Sequence, residues 1–260
     1  LQQCLVVQPD YLPARYNLGV VLGELARYDA AIAYLHQVIA AEAGHTGAHK
    51  TLGHLYGQQN QWEPARWHYE QAVRISPQDA QAHYNWGMMC LTLGDFETGW
   101  AECEWRWQTA EFTPFSCPQP RWQGQRLPQQ TLLIHTEQGA GDAIQFVRYV
   151  SWAAARCQRV VLVCPAALLP LFEQLPDVDQ CQTPGQIALT AFDVYVPLLS
   201  LPYLAHTTVE TIPAPIPYLS ADASRCPLSA RRHAHRVGIA WAGSPTHGND
   251  RQRSTQLADW

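Results

Sequence analysis

The sequence predicts an all-helical repeat array followed by an α/β unit with a mostly parallel sheet. Two observations support this fold class. In the first hundred residues, a pattern of small and large side chains returns every 34 residues. From Thr131 onward, short apolar runs of strand length alternate with segments of helical periodicity, the pattern of successive βα units. The chain therefore divides into two parts that need separate functional interpretations.

Composition excludes several classes of function. The 260 residues are enough for one or two domains, and 47% hydrophobic residues supply a proper core. A net charge of −5 argues against a nucleic-acid partner, which would favour a basic face. No apolar run approaches the ~20 residues of a membrane-spanning helix, and no signal peptide is visible. The eight cysteines form no C-x-x-C pair, which is typical of free thiols in a reducing, cytoplasmic compartment.

The repeat is visible in columns that keep the same phase. The columns are Leu18-Gly19, Leu52-Gly53 and Trp86-Gly87; Leu22, Tyr56 and Cys90; Tyr28, Trp62 and Phe96; Ala31, Ala65 and Gly99. Small residues in two of the columns let paired helices approach closely. This pattern resembles the tetratricopeptide repeat (TPR), a helix–turn–helix unit of 34 residues. The resemblance covers residues 1–110 and implies a solenoid of three repeats plus a partial one.

The third repeat departs from the pattern at its end. Trp100 and the run Glu104-Trp105-Arg106-Trp107 stand where small residues are usual. This is typical of a capping unit that faces something other than another repeat. The solenoid also presents a concave surface, for which two interpretations stay open: a groove for a peptide or protein partner, or a rigid spacer or dock for the part that follows. The tryptophans of these repeats are interpreted as core residues more readily than as ligand stacks.

The remainder of the chain is divided by composition. Residues 111–130 are rich in proline and predict an extended linker, with residues 120–124 packing across the joint. Residues 131–235 predict the α/β domain, with strands at 131–135, 159–164, 178–181 and 192–196 and a short helix at 165–175. Residues 197–202 predict a loop that lines a cleft. Residues 236–260 begin a second, truncated α/β domain.

The stretch 131–149 is the best candidate for a site. An apolar strand is followed by Gln138, two glycines at 139 and 141, the acid Asp142, and a helix. Glycines allow a tight turn and close approach to a ligand, and a helix start offers free N–H groups. Asp142, at or next to the helix N-cap, is either a capping residue or a general base at the mouth of a cleft. The stretch matches neither G-x-G-x-x-G nor a P-loop, so a dinucleotide or ATP site is not expected.

A second candidate block follows the apolar run 237–241. Ser244, His247, Asn249, Arg251 and Arg253 come after a predicted strand end, where open α/β sheets bind ligands. The two arginines are suited to hold a phosphate. A solvated loop whose charges pair with each other explains the same composition. His45, His49 and His54 have helical spacing, but no acid or cysteine completes a metal site, so no metal is predicted.

Three segments of the α/β part together resemble the bacterial TPR glycosyltransferases related to the heptosyltransferase-like (GT-B) family. They are EQGAGDAIQFVRY at 137–149, LLSLP at 198–202 and WAGSPTHGNDRQRS at 241–254. The resemblance implies two Rossmann-like halves facing a cleft, and metal-independent, inverting transfer from a nucleotide-sugar, with no cofactor. It implies that Asp142 is the base, with Gly139 and Gly141 beside it on the acceptor side. The block 247–254 would then lie near donor phosphates or acceptor.

The resemblance also implies an incomplete catalyst. The nucleotide would sit mainly on the second half, of which this chain holds one strand and a loop, so we expect the chain alone to be inactive although its parent is an enzyme. An alternative from a different class is a TPR protein–protein interaction module with a non-catalytic α/β scaffold. The two are distinguished by whether Asp142, residues 198–201 and Arg251 and Arg253 converge on one cleft.

Overall fold

The structure is a computed structural model that describes residues 2–188 and 190–220, all within one compact unit. The first half of this unit is helical. Its helices are α1 (Gln2–Val7), α2 (Leu12–Glu24), α3 (Tyr28–Ala41), α4 (Thr46–Gln58), α5 (Trp62–Ile75), α6 (Ala80–Thr92) and α7 (Phe96–Cys103). A 3-10 turn, Glu104–Gln108, follows α7. The predicted helical solenoid is confirmed, with α2/α3, α4/α5 and α6/α7 as its three helix pairs.

The turns inside the three pairs are built alike. Each has one residue with positive φ near the end of its first helix: Ala26 at 57°, Asn60 at 59° and Gly94 at 84°. These residues are 34 positions apart, and the left-handed conformation is a common way to end a helix. The first helix of each later pair, α4 and α6, has a capped N-terminus: His45 Nδ1 accepts from the Ala48 N–H at 3.0 Å, and Asp79 Oδ1 accepts from the Ala82 N–H at 3.0 Å.

The glycine column explains the close contact within each pair. A Cβ atom on Gly19 would lie 2.8 Å from Leu35 Cγ, and one on Gly53 would lie 2.9 Å from the ring of Tyr69. On Gly87 it would meet the backbone N of Cys103 at 2.8 Å. Ala31 and Ala65 are fully buried at the facing positions. The small-residue columns therefore mark helix–helix contacts, as predicted.

The second half is built on a parallel sheet of four strands. They are β1 (Leu127–His135), β2 (Cys157–Val163), β3 (Gln180–Gln182) and β4 (Val194–Pro197). The order is β3-β2-β1-β4 and every neighbouring pair is parallel, with Leu133 opposite Val161 on one side and Tyr195 on the other. The helices are α8 (Ala140–Phe146), α9 (Val150–Ala154), α10 (Leu169–Phe172) and α11 (Leu201–Leu204). The predicted parallel α/β arrangement is confirmed for this half.

Alternation along β1 separates the two faces of the sheet. Leu132 and Ile134 point to a core shared with α8, α9 and Trp122. Leu133 belongs to a smaller cluster with Phe192, against which Phe115 packs. Because side chains alternate along a strand, His135 shares the Leu133 face, and its ring stacks under Phe115 at 4.8 Å between centroids. The end of β1 is thus covered by residues that lie before the strand in sequence.

Two segments differ from expectation. Within the stretch predicted as linker, Trp122 is fully buried, Arg121 bridges to Tyr195, and β1 already starts at Leu127. The loop conformation predicted for 197–202 is wrong: Leu198–Ser200 is a 3-10 turn that continues into α11, and Leu198, Ser200 and Leu201 are buried. Pro202 lies in the first turn of α11, where a missing N–H costs nothing, so the proline starts a helix rather than preventing one.

The end of the third repeat packs on the sheet unit, as its unusual sequence predicts. The Trp100 ring meets Phe146 of α8 edge-on at 5.7 Å. Trp105 instead stacks on His83 of α6 at 3.9 Å. Within the described part of the chain, no helix is long and apolar enough to cross a membrane.

Candidate functional site at the junction of repeats and sheet

Among the described strands, the sheet has one topological switch point, between β1 and β4. The chain runs outward from β1 through β2 to β3 and then returns to the other side of β1 to form β4. In open parallel sheets, the crevice at the carboxyl ends of such strands is the usual ligand site. His135 is the last residue of β1, and Glu137 follows it. Leu199 and Ser200 lie in the 3-10 turn that follows β4, and these four residues lie at this crevice.

An arginine from the last repeat fills this crevice. The Arg106 side chain is 2% exposed and donates from Nη2 to Glu137 Oε1 and to Ser200 Oγ, both at 2.8 Å. Its Nη1 donates to Glu104 Oε1 at 2.7 Å and to the Cys103 carbonyl at 3.1 Å. We call the residues Glu104, Arg106, Arg121, Glu137 and Ser200 the junction cluster.

Arg121 completes the cluster from the segment before β1. It donates from Nη2 to Ser200 Oγ at 2.8 Å and also pairs with Glu104. Glu137 Oε1 accepts a further hydrogen bond from the Leu199 N–H at 3.2 Å. Two cations and two carboxylates therefore balance in the crevice, which satisfies the rule that buried charges are paired.

Burial shifts the protonation of the groups at the end of β1. Desolvation raises the pKa of Glu137 to about 7, against the attraction of Arg106, which lowers it. Desolvation lowers the pKa of His135 to about 4, with the positive charges of Arg106 and Arg121 acting in the same direction, so this ring is neutral at physiological pH. The pKa of Arg106 would be lowered by its own burial, but Glu137 and Glu104 raise it overall.

An open groove of about 550 Å³ lies beside the junction cluster, and we call it the junction groove. Its volume is within the range of small-ligand sites, about 300–1,000 Å³. It is lined by Trp107, Glu111, Phe112, Thr113, Pro114, Phe115, Ser116, His135, Thr136, Glu137 and Gln138. Among the side chains of these residues, three fully buried polar atoms have no hydrogen-bond partner in the described part of the chain: Trp107 Nε1, His135 Nε2 and Glu137 Oε2.

The four predicted residues of the glycine turn lie next to this groove but do not all face it. Gln138 lines the groove and has a positive φ of 60°. Gly139 is the N-cap of α8, and Asp142 is its N3 residue, whose Oδ2 accepts from the Gly139 N–H at 3.0 Å. Asp142 is not among the residues that line the groove. A Cβ atom on Gly141 would meet nothing within 4 Å, so no close approach requires this glycine in the described structure.

The other predicted site residues cannot be placed. Ser244, His247, Asn249, Arg251 and Arg253 lie outside the described residues. In residues 2–188 and 190–220, no group of three or more His, Cys, Asp or Glu side chains is arranged to hold a metal. Of the three histidines considered for a metal, His49 pairs with His68, His54 with Gln58, and His45 caps α4.

Sequence reasoning missed Arg106, His135 and Glu137 as site residues. His135 and Glu137 follow the end of the β1 apolar run, the position where parallel sheets bind ligands, and this rule could have found them. No signal in the sequence connects Arg106 to them, since it lies in a helical repeat 31 residues before Glu137.

Comparisons with known proteins agree with the helical half. The tetratricopeptide repeat family matches residues 12–45, and a second family, described as TPR repeat, matches residues 53–91. Protein FlbA of Caulobacter vibrioides is 25% identical over 217 residues, which are 67% of this chain and 36% of FlbA. The chain thus spans about a third of the length of this curated relative.

Solved TPR proteins give weaker likenesses. MamA from Desulfovibrio magneticus RS-1 is 24% identical with a TM-score of 0.36, covering 42% of this chain and 60% of that one. YrrB, described as a TPR protein with an unusual peptide-binding site, is 14% identical with a TM-score of 0.40, covering 42% and 57%. The family matches and the helix pairs together show that residues 12–91 carry TPR repeats, which a parallel α/β unit follows in the chain.

Proposed function

We propose that this chain is a TPR protein–protein interaction module whose α/β unit serves as a scaffold for the repeat array. The observation that supports this most directly is Arg106, which carries the end of the repeats into the crevice where a ligand would otherwise enter the sheet. Asp142 supports the same interpretation, because its carboxylate accepts a hydrogen bond from the Gly139 N–H at the start of its own helix.

The partner surface we propose is the face of the first helices of the three pairs. Two columns at the 34-residue step share this face: Asn17, Thr51 and Asn85; Val20, His54 and Met88. Asn17, His54 and Met88 are exposed, and the other three are half-buried. Amide, hydroxyl and apolar side chains in register are suited to an extended peptide, whose backbone offers donors and acceptors along its length.

This proposal is tested with peptides selected from a displayed random library on the full chain. Affinities of synthetic copies are measured by fluorescence anisotropy for wild type, His54→Glu and Met88→Glu. We expect each variant to weaken binding tenfold or more, while Gln37→Glu, on an exposed position of α3, leaves it unchanged. Failure to select any peptide, or equal affinities for all variants, would contradict the proposal.

Sugar transfer by a longer parent protein is a second proposal. It is favoured by the position of Gly139, Gly141 and Asp142, directly after β1 at the carboxyl edge of a parallel sheet. A chain extended beyond residue 260 is assayed for nucleotide-sugar binding and transfer, with and without Asp142→Ala. Loss of transfer with retained donor binding is the pattern expected of a base. Equal turnover by the variant would exclude Asp142 from this role.

A further inference from the structure

A separate cavity lies where α7 of the last repeat packs against α11 of the sheet unit, and we call it the α7/α11 pocket. Its volume is about 400 Å³, and its lining comes from α7, from α11 and from the segment that follows α11. This volume is within the range of small-ligand sites. None of its lining residues belongs to the junction cluster or to the proposed partner surface, so it is a site in its own right.

Three aromatic side chains line the α7/α11 pocket: Phe96 and Trp100 from α7, and Tyr203 from α11. Phe96 and Trp100 are one helical turn apart, with ring centroids 6.0 Å apart and planes inclined at 58°. The ring of Trp100 is also fixed by its edge-on contact with Phe146. Tyr203 is 39% exposed, which is high for so large a ring. Aromatic rings at the wall of an open cavity offer a ligand π surface that rings in a closed core do not.

Acidic side chains accompany these rings. Glu97 lines the pocket and is exposed. Glu210 lies beside it, because its Oε2 accepts a hydrogen bond at 2.8 Å from the hydroxyl of Thr208, which is a lining residue. Among the described residues, neither carboxylate forms an ion pair, and no lysine or arginine lines the pocket. Aromatic rings next to unpaired negative charge favour a cation as ligand.

The kind of cation follows from its hydrogen-bond donors. A lysine ammonium is strongly hydrated and brings three donors, and a guanidinium brings five. Aromatic walls cannot satisfy these donors, and Glu97 is the one carboxylate in the lining. A quaternary ammonium has no N–H to satisfy, so the attraction of rings and carboxylate is not offset by lost hydrogen bonds. We propose that the α7/α11 pocket binds a quaternary ammonium group, as carried by choline or by trimethylated lysine.

The test compares matched probes on the full chain. Choline is paired with 3,3-dimethyl-1-butanol, which has the same shape but a carbon in place of the charged nitrogen. N-acetyl-trimethyllysine methylamide is paired with its unmethylated counterpart. Dissociation constants come from ligand-observed NMR titrations at pH 8, so that protonated histidine does not contribute. In at least one pair we expect the quaternary ammonium to bind roughly three- to thirtyfold tighter, the range of a cation–aromatic contact, and that pair identifies the source of the group.

Variants at the two walls locate the binding. Tyr203→Leu removes a ring from an exposed position and should weaken binding by roughly threefold or more, while Tyr203→Phe keeps the ring and should retain the wild-type affinity. Glu97→Gln removes the charge with little change of shape and should weaken binding roughly two- to fivefold at low salt. Glu63→Gln, at an exposed position of α5, is the matched control and should change nothing. Circular dichroism checks that each variant is folded.

Several results would overturn the inference. Equal affinities within both probe pairs would show an apolar cavity that does not select for charge or methylation. Wild-type affinity in Tyr203→Leu would place the binding elsewhere, and so would equal losses in Glu97→Gln and Glu63→Gln. No saturable binding of either quaternary ammonium would remove the site altogether. Each of these results leaves the peptide-binding proposal as it stands, because that surface shares no residue with the pocket.

Discussion

Arg106 keeps a full charge in the interior because two carboxylates and a hydroxyl accept hydrogen bonds from its Nη atoms, while its Nε has no partner among the described residues. Glu104 and Glu137 each accept a hydrogen bond from it within 2.8 Å, and Ser200 accepts a third at the same distance. Removing one partner of such a buried pair leaves the remaining charges unpaired, which is more costly than the pair is worth. We therefore expect the stability of the fold to fall more when one charged residue of the cluster is replaced than when both partners of a pair are replaced together.

We therefore expect Arg106→Leu to lower the free energy of unfolding by roughly 3–5 kcal/mol. Urea unfolding followed by circular dichroism measures it. Adding Glu137→Gln to this variant should recover part of the loss, because one of the unpaired carboxylates is then neutral. Arg66→Ala, which breaks an exposed ion pair with Glu63, should change stability by no more than about 1 kcal/mol. Equal effects of the two arginine changes would contradict this account of the junction.

His68 gives the helical half a pH dependence. It is buried beside His49, and desolvation lowers its pKa from 6.5 to about 4, with the charges of His49 and His36 acting in the same direction. Between these two values the unfolded chain binds more protons than the folded one, so this group's contribution to stability rises with pH from 4 to 6.5 and is lost on acidification. Glu137, whose pKa is raised, contributes in the opposite direction between pH 4.5 and 7.

A comparison of His68→Phe with wild type isolates the histidine. The variant should lose roughly 2–3 kcal/mol less than wild type on going from pH 6.5 to 4. Thermal unfolding at several pH values gives the difference, and the Glu137 contribution cancels because both proteins contain it. Parallel pH profiles for the two proteins would show that His68 does not titrate on unfolding.

At the scale of the element, the glycine column sets the distance between paired helices. A Cβ atom on Gly87 would meet the backbone N of Cys103 at 2.8 Å and the backbone C of Glu102 at 3.0 Å. Backbone atoms cannot move aside as the end of a flexible side chain can. Helix α7, whose end carries the chain toward Arg106, would have to shift as a whole.

Gly87→Ala should therefore destabilise the chain by roughly 1–3 kcal/mol, although alanine favours a helix more than glycine does. The matched control is Gly44→Ala in the turn between pairs, where an added Cβ meets nothing within 4 Å, and its effect should be close to zero. Thermal unfolding midpoints compare the two. An unchanged or higher midpoint for Gly87→Ala would mean that α6 and α7 can separate without cost.

At the scale of the whole molecule, repeats and sheet unit stabilise one another. Arg106 at the end of the last repeat pairs with Glu137 of the sheet unit, and Trp100 packs against Phe146. An isolated repeat array would leave both contributions facing water. We expect residues 1–111 alone to unfold at a lower temperature than the same helices in the full chain, measured by circular dichroism at 222 nm. An equal or higher midpoint would show that the junction adds nothing to the stability of the repeats.

The predictable part of the fold is the part specified by local pattern. The glycine and alanine columns located the helix pairs, and the apolar runs located four parallel strands to within a few residues. The loop predicted at 197–202 failed because Pro197 ends β4 and Pro202 suits the first turn of a short helix. The segment before β1 joins the sheet unit although its prolines predict a linker, because Trp122 is buried in a core that no local pattern reveals.

The sequence by itself determined that a TPR array precedes a parallel α/β unit, since hydrophobic period and small-residue spacing are properties of neighbouring positions. Only the tertiary structure decided what meets at the end of β1. Glu137 lies 31 residues after Arg106 in the sequence, and Ser200 lies 94 residues after it. Their contact depends on how the last repeat packs against the switch point. Burial there brings these charges and their partners together, and burial is a property of the folded whole.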